Sequence, residues 1–68
     1  MSAYVLYVTL KNGDRYEKWS MNFNAASDEE ASKKAWEKLE SSVVAQFADM
    51  VIVYKDRVGG AVVEAYSL

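Results

Sequence analysis

The stretch Ser27-Asp28-Glu29-Glu30-Ala31 decides how the rest of the chain is read. Ser27 is a favourable N-cap residue, and Glu30 follows it at the spacing of a capping box. Three consecutive carboxylates then lie in a first helical turn, where the helix dipole stabilises negative charge. The stretch therefore predicts the start of a helix, with one β-rich segment before it and another after it.

The predicted helix carries an apolar stripe at helical spacing. Its members are Ala31, Ala35, Trp36, Leu39, Val43 and Phe47. Charged side chains fall mostly on the other faces of the helix. We expect the helix to end between Ser42 and Asp49, or earlier, because the Ser-Ser-Val-Val run at 41–44 has low helix propensity.

The segment before the helix reads as a β-hairpin. Residues from Tyr4 to Leu10 are rich in aromatic and β-branched types, and Arg15 to Phe23 alternate cleanly. Asn12-Gly13 between them is a strong signal for a two-residue turn. In that register one face, turned to the helix, holds Tyr4, Leu6, Val8, Trp19, Met21 and Phe23. The other face holds Val5, Tyr7, Thr9, Tyr16, Lys18, Ser20 and Asn22.

A second hairpin is predicted after the helix, with strands Met50–Asp56 and Ala61–Ser67 joined at Gly59-Gly60. A two-residue turn there places Lys55 opposite Glu64, and this charged pair indicates the side away from the helix. The side predicted to stay open holds Val51, Val53, Lys55, Val62 and Tyr66. A slip of one residue in the register would invert this assignment.

These elements predict a single α+β domain over residues 1–68. A right-handed crossover gives the strand order 2-1-3-4, in which all neighbours are antiparallel. We therefore expect a two-layer ββαββ sandwich, with a four-stranded antiparallel sheet and one helix packed on one of its faces.

Composition argues against catalysis and against bound cofactors. The chain contains no cysteine and no histidine, which excludes thiol chemistry and leaves only carboxylates for a zinc site. Capping explains the acidic triplet at 28–30, and no histidine is present to activate a serine. We expect no enzyme activity, no catalytic residue, no metal site and no cofactor.

Charge and hydropathy limit the partners. The net charge is −2 and the isoelectric point is about 4.9, with no basic stripe of the kind that binds phosphates. This disfavours nucleic acid. The sequence shows no apolar run long enough to cross a membrane and no signal-peptide pattern, so we expect a cytoplasmic protein without membrane contact.

The predicted open side of the sheet is the candidate functional surface. It carries apolar and tyrosine side chains beside lysines, a composition typical of interfaces. The candidate interface residues are Val5, Tyr7, Tyr16, Lys18, Val51, Val53, Lys55, Val62 and Tyr66. We expect a protein-interaction module that binds another protein or forms a homodimer through this face or an edge strand.

Two further expectations concern the kind of module. Its small size and acidity suggest an inhibitor or accessory protein of a phage or mobile element. The alternative function is binding of nucleic acid or a small ligand by the sheet tyrosines, since such residues stack on bases in some RNA-binding domains.

Overall fold

A computed structural model describes residues 1–68 and contains four strands, one α-helix and one 3₁₀ turn. In chain order they are β1 (Ser2–Asn12), β2 (Arg15–Ala25), α1 (Asp28–Glu40), the 3₁₀ turn (Val43–Phe47), β3 (Ala48–Lys55) and β4 (Val62–Ser67). The strands form one antiparallel sheet in the order β2-β1-β3-β4. With α1 packed on one face, the predicted α+β fold and strand order are confirmed.

The first hairpin turns one residue later than the sequence predicts. Gly13 and Asp14 form the turn, because Asn12 pairs with Arg15 across the strands. Gly13 has a φ of 65°, which fits the glycine-favouring first central position of a type II′ turn. Every cross-strand pair is displaced by two residues from its predicted partner. An even displacement leaves each side chain on its face, so the predicted faces of this hairpin are correct.

Helix α1 begins where the capping box predicts. The hydroxyl oxygen of Ser27 accepts a hydrogen bond from the backbone N–H of Glu30, with an N–O distance of 3.2 Å. The buried side of the helix consists of Ala31, Ala35 and Leu39, none more than 3% exposed. The two alanines let the helix backbone lie close to the sheet.

The helix ends earlier than its apolar stripe predicts, at Glu40. The hydroxyl of Ser41 donates to a carbonyl of the last helical turn, and Ser42 caps the separate 3₁₀ turn. Val43 and Phe47 are consequently 78% and 42% exposed. Their predicted place on the helical stripe is wrong, because serine hydroxyls that bond to nearby backbone groups compete with continued helix.

In the second hairpin, the face that packs against the helix is the one that was predicted to stay open. Val51 and Val53 are 2% and 1% exposed and lie in the core beneath α1. They sit opposite Val8 and Leu6 of β1, so they share the helix-facing side with those residues. The prediction that Val51 and Val53 lie on the open side is therefore wrong.

The connection between β3 and β4 is a wider loop than the predicted Gly-Gly turn. Gly59 has a φ of 86°, and a Cβ at Gly60 would overlap backbone carbonyl oxygens of the same loop. A register shift after Val53 pairs Tyr54 with Val62. This bulge places Val62 on the open side as predicted and leaves Val63 against the core, whereas residues 50–55 and 64–66 face the opposite way from the prediction.

A pair of neighbouring substitutions tests which side of β3 is buried. Val53→Lys is expected to unfold the chain, because it puts an unpaired charge in the core at a loss above about 4 kcal/mol. Ile52→Lys, on the opposite face of the same strand, is expected to stay folded. Thermal unfolding followed by circular dichroism compares them. A folded Val53→Lys protein beside an unfolded Ile52→Lys protein would contradict the observed faces.

Candidate functional site

The side of the sheet turned away from α1 is the candidate site, and we call it the open face. The strand registers define its members by alternation from the buried residues. They include Val5, Tyr7, Thr9, Lys11, Tyr16, Lys18, Ser20, Asn22, Met50, Ile52, Tyr54, Val62, Ala65 and Ser67. Both α1 and the side chains of the 3₁₀ turn that reach the core lie on the other side of the sheet.

Two tyrosines form the centre of the open face. The rings of Tyr7 and Tyr54 meet edge to face, with centroids 6.0 Å apart and planes at 67°. Tyr7 lies opposite Ile52, and Tyr54 lies opposite Val5, across the two central strands. Val5 is only 4% exposed although it lies outside the helix-side core. These four side chains therefore make a second, smaller apolar cluster with one side in solvent.

The open face also carries exposed apolar residues outside this cluster. Met50, Val62 and Tyr16 are 38%, 58% and 64% exposed, and each comes from a different strand. Val62 lies opposite Tyr54 and Met50 is two residues from Ile52, so both extend the apolar surface of the cluster, and large exposed apolar patches are unusual on a monomer surface. The open face thus has a packed aromatic centre and an accessible apolar margin.

The charge of the open face differs from that of the whole chain. The charged residues on the strands of the open face are Lys11 and Lys18, and none of the members of this face is an aspartate or a glutamate. The ammonium group of Lys11 lies 5.7 Å from the ring centroid of Tyr16. Helix α1, on the far side of the sheet, carries three carboxylates in its first turn alone. The open face is therefore locally positive on a chain of net charge −2.

Five of the nine predicted interface residues lie on the open face: Val5, Tyr7, Tyr16, Lys18 and Val62. The other four lie on the helix side of the sheet, and their predicted exposure on the open side is wrong: Val51, Val53, Lys55 and Tyr66. Sequence reasoning missed four apolar members of the face, contributed by β3 and β4: Met50, Ile52, Tyr54 and Ala65.

Lys55 and Tyr66 contact the helix rather than a partner surface. The ammonium group of Lys55 lies 3.4 Å from the carboxylate of Asp28. The ring of Tyr66 packs against Trp36, with centroids 4.9 Å apart. The sequence contained a signal for the first of these contacts. A lysine at the end of a strand can form an ion pair with an acidic first helical turn that packs on the same side of the sheet.

A hydrogen-bonded cluster links the sheet to the start of α1. The hydroxyl of Tyr4 donates to Oδ1 of Asp28 at 2.7 Å. This hydrogen bond lowers the pKa of Asp28, and the nearby Lys55 ammonium lowers it further. The same bond, with burial and the negative charge of Asp28, raises the pKa of Tyr4. Because Tyr4 is only 2% exposed, we interpret this cluster as a structural link between the sheet and α1.

Two other carboxylates are also held by protein contacts. Glu64 accepts hydrogen bonds from the hydroxyls of Ser32 and Tyr66, and these bonds lower the pKa of Glu64. Lys34 lies 3.0 Å from Glu30 and lowers the pKa of that carboxyl.

No group of three metal-ligating side chains comes together in the structure. No helix has the length and apolar character needed to span a membrane.

The largest groove lies between β2 and α1 and has a volume of about 380 Å³. Its lining residues are Asn22, Phe23, Asn24, Lys34, Glu37 and Lys38, of which one is apolar. Small-molecule sites are usually concave and mostly apolar. The groove therefore does not rival the open face as a functional site.

No protein-family model, curated protein or solved structure matches the chain. Function is accordingly inferred from the geometry of the open face.

Stability is expected to fall at both ends of the pH scale. Asp28 and Glu64 have lowered pKa values in the folded state, so their contribution holds above the unfolded values of about 4. It is lost as the pH falls through the folded values. Tyr4 has a raised pKa, so its contribution holds below about pH 10 and is lost as the pH rises through the folded value.

Urea unfolding between acid and alkaline pH measures these two losses. Tyr4→Phe removes the hydrogen bond and should weaken the pH dependence on the alkaline side most, and on the acid side in part. Unchanged pH dependence in Tyr4→Phe would show that the Tyr4–Asp28 bond does not contribute to stability.

Proposed function

We propose that the chain is a non-enzymatic protein-interaction module whose open face binds a partner protein. The observation that carries this proposal is the Tyr7–Tyr54 pair with Ile52 on the two central strands, where no other element covers it. Aromatic residues are enriched and charges are depleted at the centres of protein interfaces. The centre of the open face has this composition.

The arrangement suits a binding surface with a small ordering cost. Tyr7, Ile52 and Tyr54 are already half-buried by their neighbours. Their side chains therefore lose little conformational entropy when a partner binds. Tyrosine at a well-packed centre is a frequent hot-spot residue. Polar side chains of β2, such as Ser20 and Asn22, would form part of the hydrated rim.

The charge of the face suggests the chemistry of the partner. Lys11 and Lys18 lie at one end of the face without a carboxylate among its strand side chains. A partner with an apolar patch and an adjacent acidic group would complement both features, and its association would slow as salt rises. Within this class, the small size and acidity of the chain support a small inhibitor or accessory protein of a phage or mobile element.

A second candidate function is binding of single-stranded nucleic acid or another planar ligand. Paired tyrosines beside lysines resemble the stacking platforms that hold unpaired bases. The net charge of −2 and the two lysines of the face provide few phosphate contacts. We therefore place protein binding first.

Affinity capture with matched variants tests the proposal. Wild-type chain is immobilised, exposed to an extract of the source cells, and any captured protein is then purified for direct titration. Tyr54→Ala is expected to raise the Kd by about 30-fold or more, the effect of losing a hot-spot side chain. Ile52→Lys is expected to abolish binding. Glu40→Gln, which changes the charge by one unit on an exposed helix position, is expected to bind like wild type.

Two results would contradict protein binding by the open face. In one, a captured partner binds Ile52→Lys and Tyr54→Ala as well as wild type, which would place the surface elsewhere. In the other, the chain binds single-stranded oligonucleotides in a salt-sensitive way that Tyr54→Ala abolishes, which would establish the second candidate.

A further inference from the structure

The outer edge of β2 is a second surface without a partner. β2 is an edge strand of 11 residues, whereas β4 at the opposite edge has 6. A long edge strand offers a row of unpaired backbone N–H and C=O groups to another chain, and proteins usually shorten or cover such edges. Near the end of β2, a side chain of α1 hydrogen-bonds to one outward backbone group of the strand.

That hydrogen bond shows which backbone groups face outward. The side chain of Lys34 donates to the carbonyl oxygen of Asn24 at 3.0 Å, so this carbonyl points away from β1. Ala3 lies opposite Asn24. The carbonyl oxygen of Ala3 accepts a hydrogen bond from the N–H of Asp56, so it points away from β2. Backbone direction alternates along a strand. The unpaired outward groups therefore belong to Tyr16, Lys18, Ser20 and Asn22.

We propose that β2 pairs with β2 of a second copy of this chain, antiparallel about a two-fold axis at Trp19. Tyr16 then lies opposite the second copy's Asn22, and Lys18 lies opposite the second copy's Ser20. All four outward residues are used, with about eight backbone hydrogen bonds. Asn24, whose carbonyl Lys34 already occupies, is the outward residue left out.

Other two-fold registers fit less well. An axis at Glu17 or Lys18 sets two like charges directly opposite each other, which is destabilising. An axis at Ser20 or beyond requires the carbonyl of Asn24, which is already hydrogen-bonded. An axis nearer the turn leaves Ser20 and Asn22 without partners. The register at Trp19 has none of these defects.

The side chains at the proposed axis favour the same pairing. Trp19 is half-buried on the helix side of the sheet, and at the axis it meets its own copy. The two tryptophans would be a non-hydrogen-bonded pair, the type in which cross-strand side chains lie closest. Such an aromatic pair adds stability beyond the area it buries. Small domains often gain needed stability from a partner subunit.

This pairing does not depend on the proposed function. The new contacts lie along the edge of the sheet, so both open faces remain uncovered and lie side by side on one extended sheet. A partner protein could then engage one or both copies. Failure of either idea would leave the other standing.

Sedimentation equilibrium over micromolar concentrations tests the pairing. Wild type is expected to approach twice the chain mass of 7.7 kDa. In the proposed register residue 20 of each copy lies opposite Lys18 of the other copy, which gives two such pairs in the dimer. Ser20→Glu should therefore tighten the dimer, and Ser20→Lys should weaken it. The two dimer Kd values should differ roughly tenfold at low salt. In a register centred on Ser20, both substitutions would weaken the dimer alike.

Two more variants separate the edge from other surfaces. Ser20→Pro removes an outward N–H that has no partner within the chain, so the fold should persist while the mass falls to that of a monomer. Ile52→Lys, on the open face, should keep the dimer mass. A monomeric wild type, a Ser20→Pro protein that still dimerises, or equal weakening by Ser20→Glu and Ser20→Lys would each overturn the proposal.

Discussion

The other features follow from one constraint, the packing of α1 on the two central strands. The buried side of α1 carries mainly small side chains. The buried stripe of α1 lies on a layer of side chains that are 0–2% exposed, namely Tyr4, Leu6, Val8, Val51 and Val53. Once Val51 and Val53 face the helix, Ile52 and Tyr54 must face the other way, because side chains alternate along a strand. The candidate binding surface is thus the reverse side of the core.

Polar contacts at the start of α1 complete this arrangement and determine where charge is displayed. Asp28 is tied to Tyr4 and Lys55, and Glu64 is tied to Ser32 on the helix. These carboxylates stabilise the contact between the two layers. The opposite side of the sheet, which has no carboxylate among its strand side chains, keeps its lysines beside its tyrosines. One molecule therefore presents an acidic helix and a locally positive open face.

Local signals predicted much of the fold. The capping box gives the start of α1, the alternation of β2 gives the faces of the first hairpin, and two hairpins joined by a right-handed crossover give the strand order. The faces of β3 were not predictable in this way, since residues 50–54 are apolar at every position and alternation offers no contrast. Pairing with β1, a long-range interaction, decides them. Lys55 and Glu64 misled because these charged side chains lie on the helix side, where they contact Asp28 and Ser32. Tyr54 was missed because it alternates with Lys55 along β3.

The orientation of β3 is the claim on which both the core and the candidate surface depend, and nuclear Overhauser effects between side chains test it most directly. Methyl groups of Val51 and Val53 should show contacts to the alanine methyls of α1, and the ring of Tyr54 should show contacts to the ring of Tyr7. Contacts from the Ile52 methyls to the α1 alanines would contradict the account. They would place the tyrosine inside and return the open face to the valines.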